Sequence, residues 1–153
     1  MDIKIKKANM EDFQKVQELN HKLFELEYEF YDSSLNVGWT YEKEGNNYFK
    51  NMIENEIVFL AIIDDEIVGY LAGSICEMSY TKDKLAELDN MFVIEEYRKY
   101  GIGTKLIDEF KKYCLDKGLD SIKVTASSKN KNAIAFYIKN GFEEWDITLR
   151  CKI

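Results

Sequence analysis

Proline is absent from this chain of 153 residues, histidine occurs 1 time and cysteine 3 times. Without proline there is no Pro-rich linker to divide the chain into separate units. His21 alone cannot assemble a histidine-based triad or a metal cluster. Cys76, Cys114 and Cys151 are odd in number, widely spaced and outside any CxxC pattern, so neither a disulfide framework nor a zinc site is expected. Positive charge is also short, with Lys and Arg at 21 against 28 Asp and Glu; the net charge of −7 would repel a phosphate backbone. No apolar run approaches the roughly 20 residues of a membrane span, and MDIKIKKANMEDF has no basic start leading into an apolar run. A soluble, cytoplasmic protein with no nucleic-acid or membrane partner is expected.

What is present is a large apolar fraction, 46% of residues with 14% aromatic, which suffices to build a core in a chain of one-domain length. A single domain over residues 1–153 is expected. Ile3 and Ile5 alternate with Lys4 and Lys6 as a short strand, and Asn9 then stands as an N-cap. The helix that follows places Phe13, Val16, Leu19, Leu23, Leu26 and Phe30 at spacings of three or four. Tyr48, Phe49, Met52 and Ile53 suggest a second helix behind a Gly45-Asn46-Asn47 interruption. Residues 57–64 and 67–80 read as a hairpin turning at Asp65-Glu66, and LAELDNMFV (85–93) as a third strand. A helical stripe at Ile102, Leu106, Phe110 and Cys114 ends at Gly118. SIKVTAS, NAIAFYIKN and EEWDITLRCKI complete the order as strand, helix and strand. Antiparallel hairpins followed by strand-helix-strand crossovers predict an α/β fold with a mixed, largely antiparallel sheet and helices on both faces.

Between the third strand and its helix stands Arg98-Lys99-Tyr100-Gly101-Ile102-Gly103, where successive backbone N–H groups and a helix N-terminus can converge on an anion. Leu106 occupies the place of a third Rossmann glycine, and no P-loop pattern exists. Further on come Asn130, Ala133, Phe136, Tyr137, Gly141 and Phe142 in the pattern NxxAxxFYxxxGF. RxxGxG after such a strand, followed at this distance by the second motif, closely resembles the GNAT superfamily of acyl-CoA-dependent N-acetyltransferases, from about Ile57 to Phe142. The resemblance implies acetyl-CoA as cosubstrate and no metal. It implies a pyrophosphate grip by Arg98, Lys99, Tyr100, Gly101, Ile102, Gly103 and Thr104, with Asn130 and Phe136 nearby, and pantetheine pairing with Met91, Phe92 and Val93. It also implies Tyr137 as the acid that protonates the departing sulfur, and a backbone N–H of Met91 or Phe92 for the oxyanion. The family often has proline where Glu95 stands and glycine where Lys99 stands. It also commonly ends with two strands where only eleven residues follow Phe142 here, so the last strand is short, merged or supplied by a second subunit, which makes a homodimer one option.

Glu87 and Asp89 are two apart on one strand and share a face; the resemblance implies Asp89, with Glu87 beside it, near the acidic residue that deprotonates the amine directly or through water, and a solvated strand face or a salt bridge to Lys123 or Arg150 is the structural alternative. Glu25, Tyr28, Glu29 and Asp32, with Glu27 among them, end the first helix as an acidic and aromatic segment. Such a segment suits a cationic amine through charge and cation–π contact, or else is a solvated face. The expectation is direct acetyl transfer to a primary amine, a small cationic one. The alternatives are a protein or peptide acceptor, or a non-catalytic acyl-CoA-binding module on the same fold.

Overall fold

The computed structural model describes residues 1–153. Strand β1 (Lys4–Lys7) leads into a short turn of helix capped by Asn9, whose side chain accepts from the Glu11 N–H while Asp12 bonds back to the Asn9 N–H. That reciprocal cap delays the first helix, α1, to Phe13–Phe30. Helix α2 (Lys43–Asn55) runs through Gly45-Asn46-Asn47, where an interruption was expected. The helix is continuous there because Asn46 is tied on both sides, donating to the Tyr41 carbonyl and accepting from Gln17 Nε2 at 2.5 Å.

Strands β2 (Ile57–Ile63) and β3 (Glu66–Cys76) form a hairpin whose two turn residues are Asp64 and Asp65, both at positive φ (49° and 65°). The turn therefore sits one residue earlier than expected, since a two-residue hairpin needs both central residues left-handed and aspartate tolerates that better than glutamate. β3 ends at Cys76 rather than running on to Tyr80. β4 (Leu85–Val93), α3 (Ile102–Asp116), β5 (Ser121–Val124) and α4 (Lys131–Lys139) complete the regular structure.

The sheet order is β1-β2-β3-β4-β5, antiparallel except for the parallel β4/β5 pair. Helices α1 and α2 cover one face, where Val16, Leu19, Phe49 and Met52 meet Leu60 and Tyr70. α3 covers the other, placing the fully buried Leu106, Ile107 and Phe110 against Leu71 and Leu88. Each such side chain contributes about 1.5–3 kcal/mol by leaving water. The mixed sheet with helices on both faces is thus as expected.

The last strand is not. Residues 143–153 join no sheet, and none of their backbone groups bonds to another backbone group. Their alternating apolar pattern is that of a strand, but β5 offers them no pairing in this chain.

Candidate active site

Two irregularities in β4 create the site. Opposite Ala72 and Gly73 of β3 stand Asn90 and Leu88, so Asp89 is an extra residue, a β-bulge. The bulge breaks the alternation, and Glu87, Asp89 and Asn90 all line one cavity. The second irregularity is the end of pairing with β5: Leu88 opposite Val124 is the last pair, after which β4 runs on alone. Ile94 donates its N–H to Val68 of β3, so by alternation Phe92 N–H also faces β3 while Met91 and Val93 turn theirs toward the side that β5 has left. Of the two oxyanion candidates, only Met91 therefore has an N–H facing the gap.

The cavity encloses about 360 Å³. Leu23, Phe24 and Glu27 of α1, Trp39, Tyr48, the β4 carboxylates, Val124, Thr125 and Tyr137 form its wall. A longer cleft of about 480 Å³ adjoins it, lined by Met91, Phe92, Val93, Arg98, Lys99, Gly101, Ile102, Gly103, Thr104, Asn130 and Phe136. Met91 and Tyr137 border both spaces. Tyr100 is 53% exposed and stands outside this lining.

Arg98 to Thr104 form an anion cradle. The backbone N–H groups of Lys99 to Thr104 have no acceptor in the chain, because a helix leaves its first N–H groups free and the preceding loop makes no bonds with them. Gly101 (φ 78°) and Lys99 (φ 75°) are both left-handed, which turns successive N–H groups inward. Gly101 does this without strain, whereas Lys99 carries the penalty of a side chain there. A Cβ on Gly103 would lie 2.8 Å from the Phe136 ring, so glycine lets α4 approach α3. Arg98 is fixed by its Nε–H bond to the Val93 carbonyl, 2.8 Å, and stacks over Phe92. Glu95 and Glu96 lie in an exposed turn and do not line the cleft.

On the cavity side, Asp89 ends a chain of hydrogen bonds. Thr40 donates to Asn20, Asn20 to the Tyr70 hydroxyl, Tyr70 to Asn90 Oδ1, Asn90 to the Tyr48 hydroxyl, and Tyr48 to Asp89 Oδ2. Ser74 donates to the other carboxylate oxygen at 2.7 Å. Every link donates toward Asp89, so the chain polarises in one direction. Burial, and next the Asp89 charge, push the Tyr48 phenol far above its usual range, which keeps it a donor. None of these partners was expected from sequence. Tyr48 and Ser74 lie 41 and 15 residues from Asp89 in the chain, and no motif links them to it or to its neighbour Asn90.

Glu87 pairs with Lys123 at 3.9 Å, as the structural alternative had it, while Arg150 is instead close to Asp32. Of the acidic helix end, Glu27 faces the cavity. Glu25 pairs with His21, Tyr28 and Glu29 are exposed, and Asp32 bonds with Ser34, so none of these four lines the cavity. At about 100° per residue, Leu23, Phe24 and Glu27 share one helix face, and Glu25, Tyr28 and Glu29 fall off it. Burial raises the Glu27 carboxyl above the usual carboxylate range, with a further contribution from Asp32. Burial, then the Glu27 charge, pushes the Tyr137 phenol up to about 12. Cys114 is packed in the core, its thiol pushed up to about 11 by burial. Neither Cys76 nor Cys151 lines either space.

An N-terminal helical pair, a bulged strand that parts from its parallel neighbour and an N–H cradle opening a helix define an acyl-CoA N-acyltransferase. The model of the acetyltransferase (GNAT) family matches residues 17–142, and the chain belongs to that family. It is similar to an uncharacterized N-acetyltransferase of Archaeoglobus fulgidus, 30% identical over 112 residues, 71% of this chain and 76% of that protein. Among solved structures, a tetramutant of the BH1408 protein from Bacillus halodurans superposes with a TM-score of 0.84 at 18% identity, covering 98% of this chain and 99% of that one. The aminoglycoside N-acetyltransferase AAC(6')-Iy, in complex with the bisubstrate analog CoA-S-monomethyl-acetylneamine, gives 0.78 at 16% identity, covering 100% and 99%. The protein is an acetyl-CoA-dependent N-acetyltransferase.

Proposed function

We propose that the protein acetylates a small cationic amine bound in the cavity beside β4, by direct attack on acetyl-CoA held in the adjoining cleft. The observation that carries this reading is the cavity wall, where Glu27, Glu87 and Asp89 stand with Trp39 and Tyr48 around a space of small-molecule size. Carboxylates with aromatic faces attract and orient an ammonium group through charge and cation–π contact. The likeness in fold to an aminoglycoside N-acetyltransferase in complex with a CoA–acetylneamine bisubstrate analog agrees with it.

The free N–H groups from Lys99 to Thr104 suit a pyrophosphate, with Arg98 fixing the loop, and Asn130 and Phe136 closing the α4 side. The outward N–H groups of Met91 and Val93 and the outward C=O of Met91, with Phe92 between them, suit an extended pantetheine amide chain, while the Val93 C=O is taken by Arg98. The thioester then lies where cleft and cavity meet, between Met91 and Tyr137.

The amine nitrogen attacks the thioester carbon, the C–N bond forms and the C–S bond breaks. Met91 N–H stabilises the oxyanion. Asp89 has both oxygens occupied by hydroxyl donors, so it anchors the ammonium, assisted by Glu87. The Glu27 carboxylate has no hydrogen-bond partner in the chain and a raised pKa, so it takes the first proton, which the ammonium must lose before it attacks. Tyr137 gives its proton to the departing sulfur and takes back the second N–H proton, which the nitrogen sheds as the tetrahedral intermediate collapses. A phenol near 12 is a weak donor to an ordinary thiolate of pKa about 8.5, but the burial that raises Tyr137 raises a thiol in the same place, which narrows the gap.

The deciding experiment mixes the protein with acetyl-CoA and a panel of polyamines, aminoglycosides, neutral amines and peptides, and follows free thiol. Turnover of polycationic small amines is the expected result. Preference for peptide N-termini would replace the acceptor class, and acetyl-CoA binding without thiol release on any amine would favour a non-catalytic module.

A further inference from the structure

Asn20, Thr40 and Tyr70 are each 0% exposed, on the face of the sheet that Val16, Leu19, Phe49 and Leu60 fill. Apolar side chains of the same shape would serve that core as well, since a buried polar chain, even with every member bonded, adds little net stability over apolar packing. None of these residues lines the cavity or the cleft. Their bonds nevertheless lead there, from Thr40 through Asn20, Tyr70 and Asn90 to Tyr48 and Asp89.

Hydrogen-bonding capacity limits what this chain can do. A hydroxyl has one proton to give, and an amide has one oxygen and one nitrogen end, so the links either all donate toward Asp89 or all donate away from it. In the second direction Asn90 turns its oxygen to Tyr48 and takes the proton that Asp89 Oδ2 otherwise receives. The Tyr48 proton is therefore the contested one. The Tyr70 hydroxyl settles the contest, because it donates to Asn90 Oδ1 and leaves only Asn90 Nδ2 for Tyr48. Tyr70 faces that way because Asn20 Nδ2 donates to it at 3.0 Å, and Asn20 is turned by Thr40, whose hydroxyl donates to Asn20 Oδ1 at 2.7 Å. Burial raises the Tyr70 phenol above its usual range, so its proton stays in place.

We propose that Tyr70, oriented by Asn20 and Thr40, is a positioning residue for the acceptor: by pinning the Asn90 amide it commits the Tyr48 proton to Asp89 and fixes the carboxylate that anchors the ammonium. The anchoring role of Asp89 rests on the acceptor site proposed above; the direction of the chain does not. Without the Tyr70 hydroxyl, Asn90 either leaves its oxygen dry or turns it to Tyr48 and removes a donor from Asp89. These two costs are of the same size, so both arrangements are populated. Asp89 is then held by Ser74 alone for part of the time.

Tyr70→Phe keeps the ring and removes only the hydroxyl. KM for a polycationic amine should rise about tenfold, with kcat and acetyl-CoA affinity within about twofold of wild type. Adding Asn90→Leu should bring KM back to within about threefold, because leucine neither takes the Tyr48 proton nor needs one, and Trp39 and Phe49 still hold the Tyr48 ring. A packing role predicts the opposite, a double variant worse than the single one. Thr40→Val, at the far end of the chain, should raise KM by about threefold, which decides the question if Tyr70→Phe fails to fold. Nuclear Overhauser contacts give a readout that needs no turnover. The Asn90 amide protons should contact the Tyr48 ring in the wild-type protein and turn in part toward the ring at position 70 in Tyr70→Phe. An unchanged KM in Tyr70→Phe, or a double variant no better than the single one, overturns the proposal. So does an Asn90 amide that keeps its orientation in Tyr70→Phe. If no amine is turned over, the acceptor site fails, and the amide contacts alone decide whether Tyr70 directs the chain.

Discussion

The hydroxyl of Tyr48, on α2, donates a 2.8 Å hydrogen bond to the carboxylate of Asp89, on the bulge of β4. The helical layer and the sheet are thereby locked together at a residue that lines the cavity. Because Asn90 in turn donates to Tyr48, the phenol is held in one orientation and its proton in one direction.

Removing that hydroxyl should lower catalysis without unfolding the protein. A hydrogen bond to a charged group is worth about 1.5–3 kcal/mol, or about 10- to 100-fold in rate where the carboxylate's position matters. Tyr48→Phe is expected to reduce kcat/KM by that factor, and Asp89→Asn by about 10² or more. In the double variant the loss should be no greater than for Asp89→Asn alone, since Tyr48 acts through Asp89. Steady-state kinetics on the four proteins checks this. Additive losses would separate the two residues.

How much of this was readable beforehand follows from the range of each interaction. β4 was legible to the residue, Leu85–Val93, because its flanks are turns and its composition is β-rich. The cradle was legible because its geometry is local: N–H groups from consecutive residues and a glycine at positive φ need no distant partner. Asp89 and Glu87 were placed correctly on one face, but Asn90 was hidden, because a bulge inverts the parity that sequence spacing assumes. The choice of Glu27 over Glu25 or Glu29 depends on how α1 is rotated against the sheet, and a run of alternating glutamates does not encode it. The tail alternates like a strand but forms none in this chain, since a strand needs an edge that belongs to another element and alternation alone does not supply it.

Coenzyme binding should depend on the cradle's backbone. At 100 times its dissociation constant, acetyl-CoA should raise stability by about 2.7 kcal/mol, seen as a higher melting temperature. Gly101→Val should weaken binding because a β-branched residue resists φ 78°. Gly103→Val should do so because its side chain displaces Phe136 from the cleft wall. Titration by calorimetry tests both, and wild-type affinity in the two variants would remove the cradle from the binding site. Lys99→Gly relieves a left-handed side chain and should stabilise the free protein modestly, by about 1 kcal/mol.

Tyr137→Phe keeps the ring contacts with Phe136 and Phe142 and loses only the hydroxyl. Fold and acetyl-CoA affinity should therefore stay close to wild type, while kcat falls by about 10² to 10⁴, the usual scale for an acid–base group. Single-turnover measurements isolate the chemical step. A fall of only a few-fold there would leave Tyr137 as a packing residue.

The pH profile distinguishes Glu27 from the other carboxylates. An ammonium group of ordinary pKa near 10.4 is less than about 0.1% neutral at pH 7, so the site must accept its proton. Burial raises the Glu27 carboxyl, so it becomes a competent base only above its elevated pKa. The sign is therefore a rise in kcat with pH, with its midpoint above the usual carboxylate range near 4.5. No falling limb from Tyr137 should appear below about pH 11, because that phenol titrates near 12. Glu27→Gln should lower kcat by about 10² and abolish the rising limb. The same change also removes a negative charge that raises the Tyr137 phenol, so any alkaline limb should move to lower pH in the variant. Glu25→Gln with Glu29→Gln, which alters charge outside the cavity, should leave kcat and its pH midpoint in place and raise KM only at low salt, where exposed charges still steer a cation. Measuring kcat and KM for one polycationic amine across pH 5–10 at two ionic strengths decides between them: a rising limb that survives in Glu27→Gln assigns the proton to another group, with Asp89 the next to test.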